Sequence, residues 1–199
     1  MVRKTGKKTI RMMWIFCEGK TEKNYFEKYK HMESVRGIRV EAIRARKTDA
    51  LGIISEAIEF MGKSDYLKGD ILFCVFDRNG NTNEQLSKVE KIAKDNGVCL
   101  AFSNPCFEYW ILCHYEYCKD GGEYGDIKKK IERHMGEYRK GDSGVYGRIR
   151  SKTQLAIKNA EKMKNAHERN RVKLIRRESN PVTLVYEIFK CIEKIKDSS

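Results

Sequence analysis

Two short stretches of the sequence place a carboxylate at the end of an apolar run. Glu18 follows the apolar residues 12–17, and Asp77 follows the apolar residues 71–76. Continuous apolar runs of this length are typical of strands buried in a parallel sheet, and open parallel sheets bind ligands at the carboxyl ends of their strands. Glu22 lies one helical turn beyond Glu18 and can point to the same place. These acids predict a site for a hard divalent cation such as Mg²⁺.

A simpler explanation applies to the first two acids taken alone. Glu18 and Glu22 could merely offset the positive end of a helix dipole, and for an isolated Glu-x-x-x-Glu pair we favour that interpretation. Asp77, at the end of a second buried strand, shifts the balance towards a metal site. Residues 19–21 look like the end of a phosphate-binding loop, but that motif needs a glycine where Trp14 stands.

Strand and helix patterns alternate through the first half of the chain, which predicts an α/β fold with a doubly wound, mostly parallel, four-stranded sheet. Asp49 is the predicted N-cap of the second helix, and Gly97 is predicted to close the third. The predicted strands are 12–17, 38–44, 70–77 and 98–102, and the predicted helices between them are 21–32, 50–61 and 83–96.

Polar residues also follow the fourth predicted strand. Pro105 suits the first position of a helix that we expect to continue to about Cys118. Ser103, Asn104 and Glu108 would then share the carboxyl edge with Glu18 and Asp77. The alternative is that Ser103 and Asn104 cap the helix and that Glu108 complements its dipole.

The composition becomes more basic after residue 118, which divides the chain into a predicted α/β core (1–118) and a basic loop and helical C-terminal extension that packs on the core (119–199). Residues 119–177 hold 18 basic and eight acidic residues, interspersed with tyrosines. This pattern suits nucleic acid, although a solvated helical face is an equally good explanation for any single residue. Helices are predicted at 153–166 and 182–195. The candidate nucleic-acid-binding residues are Lys128, Lys129, Lys130, Arg148, Arg150 and Lys152.

The overall composition favours a polyanion as partner. The formal net charge is +13, and residues 2–11 form a basic arm without an acid. Seven cysteines without a Cys-x-x-Cys motif suit a reducing cytosol. We expect a cytoplasmic protein that does not enter a membrane, since no apolar run is long enough to span one and no signal-peptide cleavage site follows the basic start.

At these motifs the chain resembles the RloB-like proteins, a prokaryotic group found with restriction and abortive-infection loci. Shorter pieces resemble the wider Toprim group, which includes topoisomerases, primases and the OLD-type nucleases. The resemblance spans most of the chain, and its most specific part is the Ser-Asn-Pro-Cys-Phe-Glu block. The matching pieces are residues 17–22, 76–80, 102–110 and 180–185.

The resemblance implies a Toprim-like sheet on which Glu18 and the first aspartate of an Asp-x-Asp motif, Asp77, hold Mg²⁺ (or Mn²⁺). Glu22 matches the second glutamate of OLD-type nucleases. The chain departs from the pattern at Asn79, where the motif has its second aspartate, so one negative charge is lost. Glu108 is a candidate for the missing oxygen ligand.

The resemblance further implies a Mg²⁺-dependent nuclease that acts on RNA or DNA, with Glu18, Lys20 and Asp77 as catalytic residues and a role in anti-phage defence. Lys20 could offset charge on the phosphate or on the leaving oxygen. The alternative, which Asn79 keeps open, is a non-catalytic module that binds nucleic acid or a separate ATPase subunit. An oligomer is possible, and a topoisomerase or primase core ranks last.

Overall fold

A five-stranded sheet forms the centre of the computed structural model, which describes residues 11–33 and 35–197. Its strands are β1 (Arg11–Cys17), β2 (Ile38–Arg44), β3 (Ile71–Asp77), β4 (Cys99–Asn104) and β5 (Val182–Thr183). The first four pair in parallel, in the order β2-β1-β3-β4, and β5 adds an antiparallel edge next to β4. The mostly parallel α/β sheet is therefore confirmed, with one strand more than predicted.

The fifth strand lies where the sequence predicted the start of the last helix. Val182 pairs with Asn104 and Thr183 with Ser103. Val182 and Thr183 are β-branched residues that suit a strand, and the helix begins only at Tyr186. The predicted start of that helix at Val182 was wrong because a two-residue strand depends on the edge that receives it.

Helices follow the strands in the predicted alternation. Asp49 caps the second helix as predicted, accepting the Gly52 N–H at 2.9 Å, and Gly97 closes the third with a left-handed φ of 68°. The helices are α1 (Lys20–Met32), α2 (Ala50–Met61), α3 (Asn83–Asn96), α4 (Glu108–Cys113), α5 (Tyr124–Met135), α6 (Val145–Ile149), α7 (Thr153–Arg169) and α8 (Tyr186–Asp197).

Helix α4 is shorter than the predicted helix from Pro105 to Cys118. It starts three residues later, after turn-type bonds from Tyr109 N–H to the Cys106 carbonyl and from Trp110 N–H to the Phe107 carbonyl. At the other end the Cys113 carbonyl accepts the side-chain amide of Asn159 at 2.9 Å. A long-range contact therefore helps to end the helix. Glu108 consequently stands at the first position of α4.

An aromatic cluster joins helices that are distant in the sequence. Tyr25 of α1 packs edge-on against Phe107, with 5.4 Å between the ring centroids, and against Tyr146 of α6 at 5.1 Å. Trp110 of α4 stacks on Phe189 of α8 at 5.2 Å. Such pairs contribute about 0.5–1.5 kcal/mol each beyond the burial of their area. The cluster holds α1 and α4 in a fixed relation, and both helices begin at the carboxyl edge of the sheet.

The predicted extension also contributes to this core. Its residues supply β5 to the sheet and Tyr146 and Phe189 to the aromatic cluster, while α7 packs on α4. Helices α5 and α6 were not predicted: α5 buries only Ile127 and Ile131, and α6 is only five residues long. The division of the chain at residue 118 stays a prediction. Of the predicted basic arm, residues 2–10 lie outside the described residues.

All seven cysteines lie in the described part of the chain and are free thiols. Within residues 11–33 and 35–197, no helix combines the length and apolar character that crossing a membrane requires.

The contact between β4 and β5 generates a testable prediction. The buried hydroxyls of Ser103 and Thr183 lie 3.0 Å apart and bond to each other. Thr183→Val leaves the Ser103 hydroxyl buried without this partner, which should lower the free energy of unfolding by about 1–3 kcal/mol. The double variant Thr183→Val/Ser103→Ala should lose less stability than the sum of the losses in the two single variants. The difference should be at least about 0.5 kcal/mol. Urea denaturation measures both, and strictly additive effects would contradict the hydrogen bond.

Candidate metal centre

Four acidic side chains from four different elements meet at the carboxyl edge of the sheet. Glu18 follows β1, Asp77 ends β3, Glu22 lies in the first turn of α1, and Glu108 begins α4. All four are at least nine-tenths buried. Their charges act on one another, since Asp77 is influenced by the other three and Glu22 by Glu108. The structure therefore brings together the four acids that the sequence proposed for this edge.

Glu18 is held by the end of the neighbouring strand β3. One of its oxygens, Oε2, accepts the Asp77 backbone N–H at 2.9 Å, and the other accepts the side-chain amide of Asn79. Burial raises the pKa of Glu18 to about 7, and the nearby Glu22 adds to this effect. The hydrogen bonds from Asp77 and Asn79 and the charge of Lys140 act in the opposite direction. Glu18 therefore changes its charge near neutral pH.

Asn79 contacts the cluster through its nitrogen rather than its oxygen. Its backbone has a positive φ of 36°, a conformation that asparagine tolerates better than most residues, and its Nδ2 donates to Glu18 Oε1. In this orientation Asn79 supports Glu18 as a hydrogen-bond donor. To offer a carbonyl oxygen to a cation, as the sequence suggested, its amide would have to turn over.

The other three acids each carry a buried oxygen that has no hydrogen-bond partner within the described residues: Glu22 Oε2, Asp77 Oδ1 and Glu108 Oε2. Burial raises the pKa of Asp77 well above its ordinary value, and repulsion from Glu22, Glu18 and Glu108 adds to it. Burial also raises the pKa of Glu22, again with a contribution from Glu108. Burying carboxylate oxygens without hydrogen-bond partners destabilises the folded state. Binding of a proton or a cation by this cluster would therefore be favourable.

Gly19 provides the room that Glu22 needs. A Cβ placed on Gly19 would lie 2.8 Å from Glu22 Oε2, which is too close for a carbon. The Glu22 carboxylate therefore folds back over the turn that joins β1 to α1. An alanine at position 19 would therefore require the Glu22 carboxylate to move.

Residues 136–144, which we call the α5–α6 loop, close over the acids. The Tyr138 hydroxyl donates to Glu108 Oε1 at 3.0 Å. Gly141 is fastened to α1 twice, since its N–H donates to Thr21 Oγ1 at 2.9 Å and its carbonyl accepts the Asn24 amide at 2.6 Å. The loop is thus anchored to α4 and α1 on either side of Lys140.

Lys140 is the cation that this loop presents to the cluster. Desolvation alone would lower the pKa of its ammonium, but attraction from Glu108, Asp77 and Glu22 outweighs it and raises the pKa. The same loop, with Arg148 of α6, lines an open cavity of about 550 Å³. Sequence reasoning missed both Lys140 and Tyr138. No local pattern in the sequence connects the α5–α6 loop with Glu108.

These acids suit a hard divalent cation in their chemistry and in their unpartnered oxygens. Among the described residues, however, no three acidic, histidine or cysteine side chains are already arranged to hold a metal ion. The reason is visible at Glu18, whose two oxygens both accept hydrogen bonds from the β3 end. To contact an ion, Glu18 would therefore have to share or exchange one of these hydrogen bonds.

Lys20, the sequence-proposed partner for phosphate charge, occupies the first position of α1. Its side chain is exposed, and a Cβ on Gly141 would lie 3.7 Å from its Cβ. Lys20 thus borders the α5–α6 loop, whereas the charge that acts on Glu18, Glu22 and Asp77 comes from Lys140.

Ser103 and Asn104 point into the fold rather than towards the acids. Ser103 bonds to Thr183 of β5. The Asn104 amide nitrogen donates to the carbonyls of Arg176 and Arg177, at 3.0 and 3.1 Å. Both side chains therefore fasten the residues around β5 to the end of β4. Neither caps α4, because that helix begins four residues after Asn104.

The six basic residues proposed for nucleic acid are mostly engaged within the fold. Lys128 pairs with Glu132, Arg148 with Asp142, and Arg150 with Glu33. Lys130 donates to the Cys118 sulfur and the Asp120 carbonyl, and the Lys152 ammonium lies 4.1 Å from the centre of the Tyr115 ring. Lys129 is exposed and forms no such contact within the described residues.

The buried charges generate a prediction about stability. The pKa of Asp77 is higher in the folded protein, so the folded state binds more protons and the contribution of Asp77 to stability falls as the pH rises above about 4. Without divalent cations, Asp77→Asn should therefore raise the melting temperature at pH 8 by about 2–4 °C, and the gain should shrink towards pH 4. Asp65→Asn, at an exposed position, is the control and should change little. An equal loss of stability at both pH values would contradict the charge repulsion.

Comparison with known proteins agrees with the motifs at this site. No curated protein matches the chain, and no solved structure does. A family model described as RloB-like protein matches residues 13–192, a span that contains all four acids and the α5–α6 loop. Because this match covers most of the 199 residues, the chain belongs to the RloB-like protein family.

Proposed function

We propose that this protein is a Mg²⁺-dependent nuclease that hydrolyses phosphodiester bonds of RNA or DNA. The observation that carries the proposal is the convergence of Glu18, Glu22, Asp77 and Glu108. Three of these acids have a buried oxygen that finds no hydrogen-bond partner among residues 11–33 and 35–197. Such a cluster opposes folding unless a cation or protons relieve its repulsion. A bound divalent cation would both relieve it and serve phosphodiester chemistry.

The four carboxylates would hold the cation, and Mn²⁺ could replace Mg²⁺ because both take oxygen ligands. When bound, such a cation polarises a phosphoryl oxygen and lowers the pKa of bound water. Tyr138 donates to Glu108 and so holds one oxygen of that carboxylate in place. Lys140, next to the acids, is suited to offset negative charge on a phosphate at the mouth of the site. Lys20 borders the same loop from α1 and could assist.

The family resemblance extends the proposal to the biological setting. A Toprim-like arrangement of the sheet would align Glu18 and Asp77 with the acids of that group. We therefore propose a prokaryotic anti-phage or abortive-infection effector that acts in the cytoplasm. A separate ATPase subunit is the partner that the likeness to OLD-type nucleases suggests.

A binding-only function is the second candidate. Two observations favour it: the Asn79 nitrogen occupies one oxygen of Glu18, and Lys140 already supplies a positive charge to the cluster. In that case the protein would bind nucleic acid or a partner ATPase without cleaving a phosphodiester bond. Cleavage assays with and without a divalent cation separate the two candidates.

Glu18→Gln and Asp77→Asn should each lower the rate of cleavage that depends on a divalent cation by at least about 100-fold, because each removes an anionic ligand. The assay uses labelled structured RNA and single- and double-stranded DNA, with Mg²⁺, Mn²⁺ or EDTA. Isothermal titration of Mg²⁺ provides a readout independent of cleavage. Asp65→Asn is the matched control and should cleave like the parent protein. Full cleavage by both folded variants would rule out this site.

A second pair of variants tests which oxygens complete the site. Asn79→Asp restores a negative charge near Glu18 and should tighten Mg²⁺ binding while activity is retained or raised. Glu108→Gln should lower activity, because it removes the charge at the start of α4. If Glu108 only complemented a helix dipole, worth about 0.3–1 kcal/mol, cleavage by Glu108→Gln would match the parent at every Mg²⁺ concentration.

A further inference from the structure

A second cavity, of about 350 Å³, lies between the segment after α4, the last turns of α7 and the residues just before β5. Its volume falls within the range of about 300–1,000 Å³ that is usual for small-molecule sites. None of the described residues that line it is acidic. The lining consists of Tyr117, Lys119, Lys162, Met163, Ala166, His167, Arg169, Asn170, Asn180 and Pro181.

An aromatic ring at this cavity is associated with two lysines. The ammonium of Lys162 lies 4.2 Å from the centre of the half-buried Tyr117 ring, and that of Lys119 lies 5.9 Å from it. Both lysines are exposed, and their long side chains can move from the ring to another partner. The ring is thus available to a flat group, with two cations at hand for a phosphate.

The basic residues of this cavity differ in one respect from those that the sequence suggested for nucleic acid. Lys119, Lys162 and Arg169 form no ion pair with a carboxylate in the described part of the chain. Lys128, Arg148 and Arg150, which the sequence suggested for nucleic acid, each pair with an acid. A cation without a carboxylate partner can approach a phosphate without first breaking an ion pair.

The remaining lining suits the base of a nucleotide. Met163 and Pro181 are buried and give the cavity an apolar side, and Ala166 adds a methyl group. The His167 ring is held in place by a contact of 2.9 Å between its Nε2 and the Pro181 carbonyl. Asn170 is exposed and can form hydrogen bonds with the edge of a base.

An alternative explanation accounts for part of this arrangement. Basic residues in the last turn of a helix complement its dipole, which would explain His167 and Arg169 at the end of α7. It does not explain Lys119, which lies outside any helix, or the position of both lysines at the Tyr117 ring. The lysines and the ring together point to a ligand with a flat face and a negative charge.

We propose that this cavity binds one base and the adjoining phosphates of a single-stranded nucleic acid. The base stacks on Tyr117, and the phosphates contact Lys119, Lys162 and Arg169. That this cavity contacts the substrate rests on the proposed function. The cavity adds that the substrate is single-stranded. Stacking of this kind accepts any base, because every base has a flat face.

Binding of a fluorescein-labelled single-stranded oligonucleotide in EDTA tests the site without cleavage. Tyr117→Ala should weaken binding by about tenfold or more through loss of stacking, whereas Tyr117→Phe, which keeps the ring, should bind like the parent. The double variant Lys119→Gln/Lys162→Gln should flatten the salt dependence by about 1.4 in log–log slope. Lys91→Gln, exposed in the middle of α3, is the control for loss of a surface charge and should leave that slope unchanged.

Two further ligands, a duplex and a free mononucleotide, show whether the cavity binds a single strand or a nucleotide. The same oligonucleotide in a duplex should bind more weakly than the single strand, because its bases are already stacked. A free mononucleotide that binds as tightly as the strand, with the same loss in Tyr117→Ala, would support the cavity chemistry and identify a nucleotide as its ligand.

Parent-like binding of the single strand by folded Tyr117→Ala would overturn the assignment. So would an equal change of salt slope in Lys91→Gln. Strand binding that depends on Tyr117, without cleavage in any divalent cation, would refute the nuclease and leave this site standing. Cleavage together with parent-like binding by Tyr117→Ala would refute this site alone.

Discussion

Repulsion among four buried carboxylates is the interaction on which the rest of this structure depends. Burial and mutual repulsion raise the pKa of Glu18, Glu22 and Asp77, because the fold disfavours their ionised forms. Parallel pairing of β1 with β3 places Glu18 and Asp77 side by side, and the Asp77 N–H then binds Glu18. An arrangement that costs stability in this way is typical of sites where a bound cation or a reaction makes use of the charge.

The stability that offsets this repulsion comes from packing elsewhere. Helices α1, α4 and α8 pack together through the aromatic rings of Tyr25, Phe107, Trp110 and Phe189. This packing holds the starts of α1 and α4, where two of the acids lie, close to each other. The α5–α6 loop then covers the site and is fastened to the same two helices through Tyr138 and Gly141. Rigid elements thus hold the carboxylates, and a loop supplies the opposing charge through Lys140.

The basic residues of the second half of the chain fall into two groups. Many lysines and arginines of the second half pair with acids inside the fold, as Arg148 does with Asp142, and these contacts shape the extension rather than leaving the charge free. Lys119 and Lys162 instead associate with the Tyr117 ring. A net charge of +13 favours a polyanionic partner, but the charge alone does not identify the surface that the partner contacts.

The sequence by itself determined the parallel α/β order and the place of Glu18 and Asp77, because apolar runs and helix caps are local patterns and parallel strands end at one edge. The bounds of β2, α2 and α3 follow from the same local rules. Only the tertiary structure decided that Ser103 and Asn104 face β5, that Val182 and Thr183 form a strand, and that Lys140 and Tyr138 reach the acids. Those outcomes depend on contacts between residues about 30 to 120 positions apart, and no periodicity within a segment of sequence records such contacts.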